Sequence, residues 1–292
     1  MSGISIFCKS YRDDLDRAAV LAQSIRQLNH DGLPFYISVP NDDLLLFQNR
    51  IGNEGIIFIP DEEIISANPA IDLNIYKSLP GHLSQQIVKS EFWRLNPKDN
   101  YICVDSDSLF IREFSASDFL SPDGTPYTVL HEGKDYLAFC AAHRIENAEQ
   151  NFKETALAMQ RFFGRRGPLY NFGPFPVIWS RHVWHALYLL LASRGETIVD
   201  AILRLPHEAS WYGETLLSQR IIPLIPIEPP FKAYLYYEQF EFDQKTGLNV
   251  SVLSQFYLGV VYQSNWYPKR LQPMKRLSYQ IKCHLKRWRT YG

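Results

Sequence analysis

Apolar segments of strand length alternate with amphipathic helical segments over the first 115 residues, and this alternation limits the possible folds more than any other feature. The predicted strands are residues 4–8, 35–39, 56–59 and 101–104, with helical periodicity between them. Strands connected through helices form parallel sheets with right-handed crossovers. We therefore predict an α/β fold with a mostly parallel sheet flanked by helices.

Polar side chains precede two of the predicted helices. Asp13 or Asp14 stands before an amphipathic helix, and Asn41 or Asp42 stands before a shorter apolar one. Oxygens of such side chains accept hydrogen bonds from the free amides of a first helical turn, so we expect them to be N-caps. A third helix is predicted over residues 81–95, ending before an Asn-Pro pair.

The second half of the chain is less regular. We expect strands near 128–130 and 256–262, and helices near 147–163, 181–194 and 210–219. An aromatic segment rich in Pro and Gly covers 167–176, and its composition suits either a surface that stacks on sugar rings or a loop that bridges the core. Because no segment has linker composition, we predict one domain over 1–268, with halves at 1–115 and 116–268.

The formal net charge of −1 hides a separation of charge. Residues 269–292 carry eight Lys or Arg and no Asp or Glu, which leaves −9 for residues 1–268. The acidic body disfavours nucleic-acid binding. In the tail, apolar residues recur at spacings of three and four beside basic ones, which is typical of a helix on an anionic membrane surface. A helix docked on the acidic body, or a dimer contact, is the alternative.

The cysteines and the N-terminal residues bear on the compartment. Four cysteines without a C-x-x-C pair indicate neither a disulfide framework nor a structural zinc site. The N-terminal residues lack the pattern of a secretory signal, and no apolar run approaches membrane-spanning length. We expect a cytoplasmic protein, held peripherally on the inner face of the membrane if the tail binds there.

Two carboxylates follow the fourth predicted strand, in the sequence Asp105-Ser106-Asp107. Residues i and i+2 of an extended chain point to the same side, so Asp105 and Asp107 converge where a parallel sheet binds ligands. Two close carboxylates repel unless a cation compensates them. Mg²⁺ or Mn²⁺, held by carboxylates and substrate phosphates, is the natural cation. The alternative is an acidic turn without a ligand.

A D-x-D after the fourth strand of an α/β half resembles the GT-A glycosyltransferases, whose fold is a Rossmann-type sheet. Three further motifs are similar to those of uncharacterised bacterial glycosyltransferases: Ser10-Tyr11-Arg12, Gln85-Gln86-Ile87-Val88-Lys89 and Glu208-Ala209-Ser210-Trp211-Tyr212-Gly213. The resemblance implies a nucleotide-sugar donor of UDP or GDP type. It also implies a divalent metal held by Asp105 and Asp107 on the donor diphosphate.

The motifs also allow roles to be assigned to single residues. The expected donor-binding residues are Ser10, Tyr11, Arg12, Gln85, Gln86, Lys89 and Asp105. Tyr11 can stack on a base, and Arg12 can pair with phosphate. A polar cluster formed by the two glutamines and Lys89 on one helix suits phosphates or sugar hydroxyls, the alternative being a solvated helix face.

An acidic and aromatic cluster lies late in the chain. We expect Glu208 or Glu214 to act as the base that deprotonates an acceptor hydroxyl if the enzyme inverts configuration. Trp211 and Tyr212 are the expected acceptor-binding residues, and an amphipathic helix with core aromatics is the alternative. The segment 131–134, His-Glu-Gly-Lys, is a weaker candidate for the same site.

One departure from the family pattern concerns the third metal ligand. Many retaining GT-A enzymes supply a His near the end of the fold, whereas residues 259–269 contain none. Gln263, Asn265 or Lys269 are the possible substitutes.

The sequence therefore predicts a metal-dependent glycosyltransferase that acts on a glycan or lipid-linked acceptor, in cell-surface polysaccharide synthesis. The alternatives are a sugar nucleotidyltransferase and a non-catalytic, membrane-peripheral scaffold. A nucleotidyltransferase is expected to carry a glycine-rich loop after the first strand, and residues 9–14 contain no glycine.

Overall fold

The computed structural model describes residues 3–266, in which short strands and helices alternate along the chain. The strands are β1 (Ile4–Lys9), β2 (Phe35–Val39), β3 (Ile56–Pro60), β4 (Asn100–Asp105), β5 (Ser108–Phe110), β6 (Tyr127–Val129), β7 (Val177–Ser180), β8 (Ile225–Ile227), β9 (Phe231–Tyr234) and β10 (Gly259–Tyr262). The helices are α1 (Leu15–Leu28), α2 (Leu44–Ile51), α3 (Asp61–Ser66), α4 (Leu73–Ser78), α5 (Gly81–Glu91), α6 (Lys134–Ala142), α7 (Ala148–Phe163), α8 (Arg181–Ala192), α9 (Ile198–Arg204), α10 (Glu208–Gln219), α11 (Tyr237–Lys245) and α12 (Val250–Leu253).

The central sheet has the order β3-β2-β1-β4-β7. The first four strands are parallel, and β7 is antiparallel to β4. The predicted α/β class, with a mostly parallel sheet flanked by helices, is confirmed. Because β7 comes from the second half of the chain, this sheet crosses the expected division at residue 115.

Two smaller sheets lie outside the central one. Strand β10 pairs antiparallel with β5 and parallel with β9, and β6 pairs with β8. The expected strand at 256–262 is therefore shorter, since it begins at Gly259, and Phe256 is 72% exposed. The Cβ of any larger residue at Gly259 would lie 2.1 Å from the ring of Phe231, so only glycine fits at this strand crossing.

Helices cover the central sheet with apolar faces. In α1 the buried residues recur every three or four positions, and they include Ala18, Leu21, Ala22, Ile25 and Leu28. This spacing places them on one face of the helix, which contacts β5 and belongs to the same hydrophobic cluster as the buried strand β1. A second hydrophobic cluster, around β9, β10 and α12, packs beneath the segment that leads to residue 266.

The expected N-caps have other partners. Asp14 precedes α1 but makes no side-chain cap bond; it accepts a hydrogen bond from the Ser106 hydroxyl at 2.9 Å and pairs with Arg17. The residue before α2 is Asp43, not Asn41 or Asp42, and its carboxylate binds Arg12. The cap predictions were wrong, because the carboxylate of Asp14 binds tertiary partners and because Asn41 and Asp42 lie in a 3-10 turn ahead of α2.

No helix within residues 3–266 is long and apolar enough to cross a bilayer. The basic tail at 269–292 and Lys269 lie outside the described residues.

Candidate active site at the carboxyl edge of the sheet

The carboxyl ends of adjacent parallel strands bring charged side chains together. In the ladder, Lys9 is opposite Asp105 of β4 on one side and opposite Ser38 of β2 on the other. Asp61 begins α3 directly after β3. All these residues therefore lie along one edge, where open α/β sheets bind ligands.

A buried cation joins the D-x-D segment to the late acidic cluster. The Lys89 ammonium lies 2.6 Å from Asp105 and 3.3 Å from Glu208, and the ring of Phe175 lies 4.1 Å from it. The side chains of Lys89 and Glu208 are 4% and 9% exposed, whereas that of Asp105 is 34% exposed. Three predicted site residues, far apart in the chain, therefore meet at one ammonium group.

The charges of this triad shift its pKa values. Burial would lower the pKa of Lys89, but the carboxylates of Asp105 and Glu208 outweigh it and raise that pKa. Burial raises the pKa of Glu208, against the opposing effect of Lys89. A raised pKa suits a general base. Glu208 is paired with Lys89, however, and this ion pair has to break before the Glu208 carboxylate can accept a proton.

Asp107 has one satisfied oxygen and one orphaned oxygen. Its Oδ2 accepts a hydrogen bond from the Ser264 amide at 3.0 Å, while its buried Oδ1 has no partner within the described part of the chain. Burial, and secondly the charge of Asp105, raises the pKa of Asp107 to about 7. A cavity of about 10 Å³, the size of one water, lies beside it.

The donor set at this edge fits a hard divalent cation. Within residues 3–266 no group of three or more His, Cys, Asp or Glu is placed to hold a metal. Asp105 and Asp107 supply carboxylate oxygens, one of them unpartnered, and Mg²⁺ typically takes only one or two carboxylates plus substrate phosphates. A cation there would also remove the repulsion that raises the pKa of Asp107.

The segment after β10 reaches the D-x-D through its backbone. The Ser264 amide binds Asp107, whereas neither Gln263 nor Asn265 makes a side-chain hydrogen bond within residues 3–266. A ligand role for either amide side chain stays a prediction.

A second buried network at the same edge was missed by the sequence analysis. Lys9 lies 2.8 Å from Asp61, which also accepts hydrogen bonds from Ser38 at 2.5 Å and from Tyr76 at 3.4 Å. The sequence feature that could have indicated this network is a charged or hydroxyl residue at the end of each predicted strand. The Ser10 hydroxyl, next to Lys9, is buried and unpartnered within residues 3–266.

Tyr11 and Arg12 lie on the outside of this edge. Tyr11 is 46% exposed, and the Arg12 side chain is 61% exposed. Asp43 holds the Arg12 guanidinium at 2.6 Å and also accepts the Arg12 amide. The buried carboxylate thus orients an exposed cation toward solvent, and it raises the pKa of Arg12.

The two glutamines of α5 have different environments. Gln86 is buried, accepts a hydrogen bond from the Glu208 amide at 3.2 Å and donates to the carbonyl of His82. It therefore fixes the first turn of α10 and is satisfied by protein groups. Gln85 is half-buried and makes no side-chain hydrogen bond within the described residues.

The remaining late candidates lie away from the D-x-D. Glu214 is 1% exposed and forms a bidentate pair with Arg165, so a base role for it conflicts with the structure. Trp211 is fully buried and its indole donates to the carbonyl of Leu205. Tyr212 is 2% exposed and its hydroxyl accepts the Ser180 amide. An acceptor cannot reach either ring, so both are core residues.

The aromatic segment 167–176 bridges the core in part, and its possible role in stacking on sugar rings stays a prediction. Phe172 is buried against Gly213, where any Cβ would lie 2.0 Å from its ring. Phe175 covers Lys89, and Tyr170 and Pro174 line an open cleft. The segment bridges the core and presents aromatic surface.

Fold and site together define an α/β protein with a cluster of buried and half-buried charged residues at the carboxyl edge of a parallel sheet. Residues 4–245 match the model of a family described as "Family of unknown function (DUF6492)", and the chain belongs to this family.

Comparison with solved structures finds similarity to the crystal structure of mouse xyloside xylosyltransferase 1 in its apo form. The TM-score is 0.48 at 10% sequence identity, and the match covers 90% of this chain and 98% of the mouse chain. No curated protein matches the sequence.

Proposed function

We propose that this protein is a metal-dependent glycosyltransferase that moves a sugar from a nucleotide-diphosphate donor to a glycan or lipid-linked acceptor. The observation that carries the proposal is the orphaned, buried oxygen of Asp107 beside Asp105 at the carboxyl edge of the sheet. An unpartnered buried carboxylate oxygen is costly unless a ligand completes it. Mn²⁺ or Mg²⁺ bridging to a diphosphate is a ligand of the required charge.

The proposed chemistry divides between the metal and the residues of the chain. When bound, the metal acts as a Lewis acid that stabilises the leaving diphosphate. Lys89 holds Asp105 in place at 2.6 Å, and Arg12, oriented by Asp43, offers its exposed face to the donor. A role for Ser10 in donor binding, directly after β1, stays a prediction.

Glu208 is the proposed base for an inverting reaction. It opens α10, next to the exposed residue His207, and Lys89 lies 3.3 Å from its carboxylate. If binding of the donor draws Lys89 toward phosphate, Glu208 is left buried without its counter-charge. Its pKa then rises further, which favours uptake of the acceptor proton.

Calorimetry with nucleoside diphosphates, in the presence and absence of Mn²⁺, tests this function. We expect UDP or GDP to bind only when the metal is present. In Asp107→Asn most of the nucleotide affinity should be lost, and adding Mn²⁺ should no longer increase it. Asp16→Asn removes a carboxylate that is 86% exposed, and it serves as the control that keeps wild-type affinity. Unchanged binding in the Asp107 variant would contradict the proposed metal site.

The membrane location is a separate proposal that rests on the charge pattern of residues 269–292. Flotation with anionic liposomes of the whole chain and of a chain ending at residue 268 tests it. Equal flotation of both forms would contradict it.

A further inference from the structure

An open cleft lies next to the aromatic segment 167–176 and contains none of the residues assigned above to donor binding. It has a volume of about 750 Å³ and is walled by residues 130–136, by Tyr170 and Pro174, and by residues 228–239 with Tyr257. A smaller cavity of about 250 Å³ shares Tyr136 and Tyr170 with it and reaches His207. The two cavities therefore adjoin through these tyrosines, and their size is that of a small-molecule site.

The chain connects the cleft to the buried triad through the aromatic segment. Pro174 lines the cleft, and the next residue, Phe175, covers the ammonium of Lys89 at 4.1 Å. The smaller cavity reaches His207, the residue before Glu208. The segment that lines the cleft and the start of α10 thus also supply residues of the triad and its cover.

The walls of the cleft are held by a dense set of contacts. His131 and Asn171 exchange backbone hydrogen bonds of 3.1 and 2.7 Å, and His131 Nε2 lies 2.5 Å from the carbonyl oxygen of Gly173. Its Nδ1 accepts the Gly133 amide at 3.0 Å, which makes Nε2 the donor of a neutral imidazole. The aromatic segment is therefore braced against the end of β6, and the cleft is preformed.

The lining is aromatic and electrically balanced. Tyr136, Tyr170 and Tyr257 contribute rings, which suit the C–H faces of sugars. Lys134 is paired with Glu132 at 3.0 Å, and Lys232 is paired with Asp243 at 3.3 Å.

The lysines of the cleft thus already have carboxylate partners, while Asp135 and Glu228 add further acid to the lining. A polyanionic ligand would meet repulsion there.

We propose that this cleft binds a neutral oligosaccharide as the acceptor, an inference that rests on the proposed transferase function. The aromatic rings stack on the sugar faces, and the charged rim accepts hydrogen bonds from hydroxyl groups. The acceptor hydroxyl then enters past Tyr136 and Tyr170 toward Glu208.

A glycan array that presents neutral oligosaccharides beside sulfated and sialylated ones tests the proposal on the full chain. We expect the wild type to bind neutral members. Tyr170→Ala should reduce their affinity about tenfold, as expected for loss of one stacking ring. Phe242→Ala is the matched control, because this ring is 66% exposed and lies outside the cleft.

Because Tyr170 also packs on Arg165 at 5.4 Å, Tyr257→Ala provides a second, independent variant with the same expected loss. Absence of neutral-glycan binding, preference for anionic glycans, or wild-type affinity in both tyrosine variants would overturn the inference. Calorimetry with UDP or GDP and Mn²⁺ on the same proteins separates the two proposals. Nucleotide binding without glycan binding removes the cleft assignment alone, and glycan binding without nucleotide binding removes the transferase function alone.

Discussion

The replacement Lys89→Met tests the electrostatic core of the site directly. Methionine keeps the unbranched apolar stem and removes only the charged end. In the wild type the ammonium compensates Asp105 at 2.6 Å and Glu208 at 3.3 Å. The variant therefore leaves two carboxylates without a cation in otherwise unchanged surroundings.

The expected destabilisation follows from the burial of each partner. Asp105 is 34% exposed and can recover part of its hydration, whereas Glu208, at 9%, cannot. Removing one partner of a buried ion pair costs about 3–5 kcal/mol, and we assign most of this to Glu208. Because whole proteins have only about 5–15 kcal/mol of stability, the variant should fold but lie close to its limit.

Urea unfolding followed by tryptophan fluorescence measures this change. With a slope of about 3 kcal/mol per M, the midpoint should fall by about 1–2 M without a change in slope. Lys153→Met is the control, since its pair with Glu149 is on the surface, where such pairs contribute about 0.3–0.5 kcal/mol. Adding Glu208→Gln to the Lys89 variant should restore at least about 1 kcal/mol, because a neutral amide needs no counter-charge.

The pH dependence gives a second readout of the same variant. Without Lys89, burial raises the pKa of Glu208 further above its value in the unfolded chain. The stability contributed by the protonated form is then present at acid pH and is lost as the pH rises through the folded-state pKa. The deficit should therefore be smaller at pH 5 than at pH 8. A midpoint equal to that of Lys153→Met, or no recovery with Glu208→Gln, would refute the reasoning.

Four further outcomes follow from the structure. Burial and Asp105 raise the pKa of Asp107 to about 7, so Mn²⁺ must displace a proton from Asp107 below that pH. The affinity of the protein for Mn²⁺ should therefore fall about tenfold for each pH unit below 7. An affinity that stays constant in calorimetry from pH 5.5 to 7 would contradict this. The raised pKa of Asp107 contributes a loss of stability as pH rises from 3.8 toward 7, so the stability of Asp107→Asn relative to the wild type should increase over that range in thermal unfolding. Gly213→Ala forces a Cβ to within 2.0 Å of the Phe172 ring, so it should destabilise by about 1–3 kcal/mol in urea, and an unchanged midpoint would show that the ring moves freely. Glu214→Gln breaks the buried pair with Arg165 and should lower the unfolding midpoint while nucleotide binding persists; loss of nucleotide binding at full stability would return Glu214 to the site.

Local patterns in the sequence were enough to predict the strands of the parallel sheet and the position of the D-x-D at its edge. The fully buried apolar runs at β1, β2 and β4 can be satisfied only as interior strands. The spacing of apolar residues and the Pro, Gly and Asn residues between segments locate such elements, because strands and helices depend mainly on residues that are close in the chain. The same signals predict a helix near 181–194 and a strand near 256–262, which the structure has at Arg181–Ala192 and Gly259–Tyr262.

The partners of individual polar residues could not be predicted in this way. Asp14 was expected to cap a helix and instead binds Ser106, and Glu214 was expected at the site and instead binds Arg165. Trp211 is predicted from the sequence to bind the acceptor, but its side chain is buried in the core. The sequence of a helix does not show whether protein or solvent covers a given face. The partners of these residues therefore depended on tertiary packing.

The sequence by itself determined the alternating architecture and the pair of carboxylates after β4, because hydrophobic periodicity and the geometry of extended chain are local. Only the tertiary structure decided that Lys89 joins Asp105 to Glu208, which are 103 positions apart in the chain, and that one Asp107 oxygen lacks a partner within residues 3–266. Those features arise when distant segments are packed at low dielectric constant, where each charge must find a counter-charge or a ligand. The chemistry proposed for this protein depends on that packing.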